Sequence, residues 1–210
     1  MNPIGEEKYF KIKKEIGKYE SESRLAHTCS VFEECKRLAD MYGLDENDRD
    51  KLCTAALLHD ITKDISGAKQ IELCKKYGLR SPENAKEPMP TIHQDTGAYF
   101  AREIFGEEIV DDVVFGAMSA HTTGKEDMSN IDKLLFVADY IEPTRKYNSC
   151  IAMREYLYKE CGKINKNDKA ALYRLLNKAV IDIIGYTVTF LTEKRRNIDC
   201  RMILAWNSLL

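Results

Sequence analysis

Apolar positions recur at helical spacing along almost the whole chain, broken by short polar or glycine- and proline-containing stretches. The pattern predicts a short charged helix over Glu6–Lys18. A second helix follows, capped by Ser21 or Ser23, carrying Leu25, Cys29, Phe32 and Ala39 on one face and closed by Gly43 after Tyr42. Asp45 caps a third, whose apolar run Leu52, Ala55, Ala56 and Leu58 leads straight into His59. Ser66 opens a short helix to Tyr77, and Ser81–Pro90, with three prolines, reads as a loop. Helices then follow from Thr91 to Phe105, from Asp111 to about Ala120, and over Asn130–Ile141, with a Thr122–Ser129 loop before the last. Cys150–Cys161 and a long helix from Asn167 or Asp168 to about Lys194 come next, then a final one over Arg201–Leu210. The long helix carries a stripe of Leu172, Leu176, Ala179, Ile183, Tyr186 and Phe190, expected to pack in the core. No strand alternation, repeat or low-complexity tract is visible. The expectation is one all-α domain over residues 1–210.

Composition narrows this modestly. The 210 residues suffice for a sizeable core, and 32 Lys and Arg against 34 Asp and Glu leave a net charge of −2. Such a balance argues against general nucleic-acid binding but allows a local cationic pocket for a phosphorylated ligand. The seven cysteines include no CxxC pair and read as reduced thiols of a cytoplasmic protein. No unbroken apolar run is long enough to span a membrane, so no membrane partner is expected.

The chemistry concentrates in His59-Asp60, where an apolar helix ends in an imidazole and a carboxylate. Burying either is costly unless it is hydrogen-bonded, charge-paired or metal-bound. Neighbouring helical side chains diverge by about 100°, so both reach one ion only if it sits near the helix end. The other histidines, His27, His93 and His121, also lie on or beside predicted helices, and Asp139 sits inside an apolar one. Each alone reads as an ordinary hydrogen-bonded residue. Together, four imidazoles and two carboxylates form a ligand set for first-row transition metals, enough for two ions if Asp60 bridges them. Two metals about 3.5–4 Å apart can hold and deprotonate a water. The imidazoles disfavour calcium, and the lack of thiolates disfavours structural zinc.

The ligand order, together with Arg24-x-x-His27-Thr28, Leu57-Leu58-His59-Asp60-Ile61-Thr62-Lys63-Asp64, His93 before Gly97-Ala98, Ala120-His121-Thr122-x-Gly124 and Ala138-Asp139-Tyr140-Ile141-Glu142-Pro143-x-Arg145, resembles the HD-domain phosphohydrolases. Within them the chain is similar to the YqeK subgroup, the symmetrical bis(5′-nucleosyl)-tetraphosphatases. The resemblance implies a helical bundle with a metal-site core over about residues 21–145, completed by C-terminal helices over 150–210. It implies a dinuclear iron centre, with manganese or cobalt as alternatives. His27, His59, Asp60 and Asp139 would hold one ion, and His93, His121 and the shared Asp60 the other. The implied reaction is attack of a metal-activated hydroxide on an inner phosphorus of diadenosine tetraphosphate, giving two ADP.

Arg24, Lys63 and Arg145 are placed to touch phosphate, since Arg24 and Lys63 fall a helical turn from His27 and His59. Asp60, Lys63 and Asp64 are the expected catalytic residues, Asp64 either orienting a ligand or protonating the leaving oxygen. Ile61, Thr62, His121 and Thr122 are expected to line the ligand. The resemblance also assigns base or ribose contacts to Asn197, Ile198, Asp199, Cys200, Arg201 and Met202, although the family's proline and threonine are missing there. The expected partner is a dinucleoside polyphosphate or nucleoside diphosphate, and the long helix suits a homodimer as well as a core. The alternatives are another HD-type nucleotidase, a cyclic-dinucleotide phosphodiesterase, or a non-catalytic nucleotide or iron sensor.

Overall fold

Ten helices and no strand make up the described residues, 3–79 and 89–210, of the computed structural model. They are α1 (Pro3–Ile16), α2 (Glu22–Tyr42), α3 (Glu46–Leu58), α4 (Gly67–Lys76), α5 (His93–Phe105), α6 (Asp112–Met118), α7 (Asn130–Ile141), α8 (Asn148–Cys161), α9 (Lys169–Glu193) and α10 (Cys200–Leu209). The all-α expectation holds. Most of the expected loop at Ser81–Pro90 lies outside the described residues.

Side-chain caps set the helix starts. Ser21 rather than Ser23 accepts from the Arg24 amide, Asp45 from Asp48, and Ser66 from Lys69. Ser129 and Asp132 form a reciprocal capping box on α7, and Asp168 rather than Asn167 caps α9. Gly43, at φ 57°, closes α2 in the left-handed region as expected. Two boundaries differ from the sequence pattern. α5 begins at His93 because residues 90–92 turn instead, and α6 stops at Met118, which leaves His121 on a following turn.

α3 is the centre. Every residue from Leu52 to Leu58 is buried, and the helix packs on α1, α2, α5, α6 and α7. A helix enclosed on all sides has no need of a polar face near its end, which is why its apolar run is continuous rather than a stripe. His59 and Asp60 therefore enter the turn beyond it already deep inside the molecule. Gly97 lets α5 approach that turn: a Cβ there would lie 3.3 Å from Thr62 Oγ1 and 3.5 Å from the His59 carbonyl.

α9 departs from expectation twice. By length and hydropathy it matches a membrane-crossing helix, although its apolar residues form no unbroken run. One face of it packs in the core against α7, α8 and α10, through Leu172, Leu176, Ala179 and Ile183. The stripe does not stay buried to its end, however. Tyr186 and Phe190 are half exposed. All seven cysteines are free thiols, five of them buried.

Candidate metal centre

Five segments converge on one point. α2 supplies His27, the turn after α3 supplies His59 and Asp60, α5 supplies His93 with its first residue, and α7 supplies Asp139. The turn after α6 adds His121. All four imidazoles are buried.

Each imidazole is turned the same way. Nδ1 of His59 donates to the Ala56 carbonyl at 2.8 Å, that of His93 to Pro90 at 2.9 Å, and that of His121 to Met118 at 2.7 Å. Nδ1 of His27 donates to Glu142 Oε1 at 3.1 Å. With the outer nitrogen carrying the proton, every Nε2 presents a lone pair inward, the tautomer a metal requires. Nε2 of His27 and of His59 are buried with no hydrogen-bond partner. Such orphaned acceptors are costly unless a cation satisfies them.

Asp60 divides the histidines into two pairs. Its Oδ1 lies 3.3 Å from His93 Nε2 and 3.4 Å from His121 Nε2. Its Oδ2 lies 3.6 Å from His59 Nε2 and 3.8 Å from His27 Nε2. Asp139 Oδ1 joins the second pair only, at 3.0 Å from His27 Nε2 and 3.9 Å from His59 Nε2. A carboxylate facing unprotonated nitrogens at these distances is an arrangement of acceptors around acceptors, stable only with positive charge among them. The residues fit divalent metal: the ligand atoms of His27, His59 and Asp139 lie within 4.8 Å of one another, as do those of His59, Asp60 and His121.

The electrostatics agree. Burial works against ionisation of Asp60, but the surrounding histidines outweigh it and hold its carboxyl well below the usual range. Burial likewise opposes charge on Asp139, and the Arg145 guanidinium with His27 more than reverses this. Burial pushes His59 down to about 4, which keeps it a neutral donor. Burial pulls His27 down too, but Asp139 and Glu142 lift it to about 9, so with no cation beside it the ring is protonated between the two carboxylates, and a bound metal would displace the Nε2 proton. With two carboxylates among the ligands, two divalent ions would leave the centre net positive, suited to a polyanion.

The chain belongs to the HD domain family, whose model matches residues 24–144, and it is an HD-domain hydrolase. Within that family it groups with the symmetrical bis(5′-nucleosyl)-tetraphosphatases. It is 32% identical over 190 residues to the one from Halalkalibacterium halodurans, covering 90% of each chain. It is 28% identical over 179 residues to the Staphylococcus aureus one, covering 85% of each. Among solved structures, a predicted HD superfamily hydrolase involved in NAD metabolism from Clostridium acetobutylicum superposes with a TM-score of 0.75, at 28% identity and 96% coverage of both chains.

The remaining sequence-selected residues fall into three groups. Around the ligands stand three cations. Arg24 donates to Asp60 Oδ2 at 2.5 Å, Arg145 to Asp139 Oδ1 at 2.7 Å, and Lys63 Nζ lies 3.0 Å from His93 Nε2. Asp64, named as catalytic, accepts from the Ser21 hydroxyl and amide and lies 3.4 Å from Arg24 Nε, so it ties Arg24 to the start of α2. Thr122 Oγ1 lies 3.1 Å from His93 Nε2. Ile61 and Thr62 are buried, the latter donating to the His93 carbonyl at 3.1 Å.

The C-terminal residues form a separate cluster. Arg201 binds Asp95 and Asp199, Asp199 accepts from Thr91, and Met202 is in the core. This cluster reaches α5 two residues beyond His93, and none of its hydrogen bonds goes to a metal ligand. Asn197, Ile198 and Cys200 are exposed.

Sequence reasoning missed the residues that brace the ligands. Glu142, fully buried, orients His27, and although burial opposes it, hydrogen bonds from His27, Ser30 and Thr144 hold its pKa near 2. Its signal was available: an acidic residue at a helix C-terminus opposes the helix dipole and calls for a reason. Arg154 donates to the carbonyls of Ile141, Glu142 and Arg145, fixing the turn that follows Asp139. Gln94 accepts from the Thr122 and Thr123 amides and donates to Thr123 Oγ1, clamping the His121 turn to α5.

Proposed function

We propose that this hydrolase cleaves diadenosine tetraphosphate, or a close dinucleoside polyphosphate, symmetrically into two nucleoside diphosphates at a dinuclear iron centre. The observation that carries the reading is the division of four inward-facing imidazoles by the two oxygens of Asp60. The names of the two tetraphosphatase relatives support the substrate. Bound divalent cations would supply charge neutralisation at the phosphoryl oxygens and make water acidic enough to attack near neutral pH.

The chain's own residues supply the rest. Asp60 would serve both cations, one together with His27, His59 and Asp139 and the other together with His93 and His121. Arg145 and Arg24 present guanidinium groups on the Asp139 side and Lys63 an ammonium on the His93 side, so a polyphosphate crossing the centre meets positive charge at both ends. Asp64 positions Arg24. Glu142 fixes the His27 tautomer, and Gln94 and Thr62 hold the second histidine pair.

The test is product analysis. Protein purified anaerobically and loaded with ferrous iron is given diadenosine tetraphosphate, and the nucleotides are separated by chromatography. ADP as sole product, lost in Asp60→Ala, is expected. AMP with ATP would place the attack at another phosphorus. Absence of turnover in metal-loaded protein would overturn the proposed activity.

A further inference from the structure

We propose that the aromatic cleft bounded by α7, α8 and α9 seats one nucleoside end of the substrate, with Tyr147, Tyr186 and Phe190 receiving the base. This rests on the dinucleoside polyphosphate reading above. The cleft has a volume of about 300 Å³, within the size class of small-molecule sites. Its walls include Asp139 and Arg145 as well as the three aromatics, so it is continuous with the metal centre rather than remote from it.

The exposure of its aromatics is the anomaly that a ligand resolves. Tyr147 is 72% exposed, Phe190 54% and Tyr186 50%, though the last two continue the face by which α9 enters the core. Exposed large apolar groups gathered in a concave site mark a binding surface. The two parts of the cleft ask for different chemistry. The aromatics favour a flat ring with two π-faces, and Arg145, held by Asp139, favours a phosphate. A base and a phosphate joined through a sugar satisfy both parts at once. An apolar peptide or a second copy of the chain would leave Arg145 unused and would cover the approach to Asp139.

This placement differs from the contacts the family resemblance assigns to residues 197–202. There Arg201 is paired with Asp95 and Asp199, neither of them a candidate metal ligand, and Met202 is buried, whereas a cation bound beside Asp139 would take up that carboxylate's charge and leave Arg145's for a phosphate. One nucleoside end is therefore assigned to the Arg145 side.

The test uses the full-length, metal-loaded protein. Tyr186→Ala and Phe190→Ala are each expected to raise KM for diadenosine tetraphosphate about tenfold, with the effect falling on KM more than on kcat. Inhibition by inorganic tripolyphosphate, which has no base, should stay at the wild-type level. Phe190→Tyr should recover wild-type KM. An unchanged KM in both alanine variants, or an equal weakening of tripolyphosphate, would overturn the assignment. If either alanine variant fails to fold, photolabelling of the wild type with 8-azido-ADP replaces it. Label in the peptides carrying Tyr147, Tyr186 or Phe190 is expected, and label confined to residues 197–202 would overturn the proposal. Photolabelling reads nucleotide binding without turnover, so it separates failure of the cleft from failure of the proposed hydrolysis.

Discussion

The two halves of the proposed metal centre are built from different materials. On one side His27, His59 and Asp139 stand on or just beyond long helices, and their surroundings are ionic: Glu142 behind His27, Arg145 on Asp139, Arg24 on Asp60. On the other side His93 and His121 stand at the first residue of a helix and on a turn, and apart from the Lys63 ammonium beside His93 their surroundings are neutral. Backbone carbonyls, Thr62 and Gln94 hold them, and Asp60 is their only carboxylate. The difference teaches that a bridging site need not be symmetrical. One half offers two carboxylates to a cation, and the other offers a share of one. The ionic half should hold its metal more tightly, and the neutral half should lose its metal first.

The comparison breaks most completely at Asp60, where both halves meet. Asp60→Ala should reduce turnover to background and lower metal content at both positions, measured by elemental analysis. One step smaller, removing a ligand private to one half should cost one ion. His121→Ala is expected to leave about one metal per chain, and Asp139→Asn to weaken the ion that the wild type holds more tightly. If both variants lost metal equally, the two halves would be equivalent and the contrast would fail. Smaller again, Glu142→Gln keeps the shape but removes the charge behind His27. Metal affinity should fall by about 10–100-fold in the ionic half only, read by competition with a chelator.

The smallest effect concerns stability. Glu20 is buried beside α2 with no partner for its carboxylate oxygens, and burial lifts its pKa from 4.5 to about 7. A carboxyl that binds its proton more tightly when folded loses stability as pH rises from about 4.5 through 7. Glu20→Gln should therefore raise the unfolding free energy at pH 8 by up to about 3 kcal/mol and leave it nearly unchanged at pH 4.5, read by denaturant melts at the two pH values. Equal shifts at both pH values would show that the effect is not titration.

Much of this was legible in the chain itself, for a physical reason. A histidine or aspartate inside an apolar helix has no cheap explanation, so His59, Asp60 and Asp139 announce themselves. Helix starts were legible where Ser21, Asp45 and Ser66 provide caps. What was hidden depends on contacts made only on folding. Glu142 reaches His27 across 115 positions, and Arg154 acts on backbone carbonyls, which no side-chain pattern records. The aromatic end of α9 was hidden for the opposite reason. Tyr186 and Phe190 keep perfect helical register with the core stripe, and only the folded structure shows that they face a cleft.

The most direct measurement is a metal titration of the wild type beside His93→Ala and His121→Ala, in anaerobic protein loaded with ferrous iron. Two ions per wild-type chain, of unequal affinity, with the weaker one lost in both variants and the tighter one kept, is the predicted result. A single ion in the wild type, or two ions retained after either substitution, would contradict a centre divided by the two oxygens of Asp60.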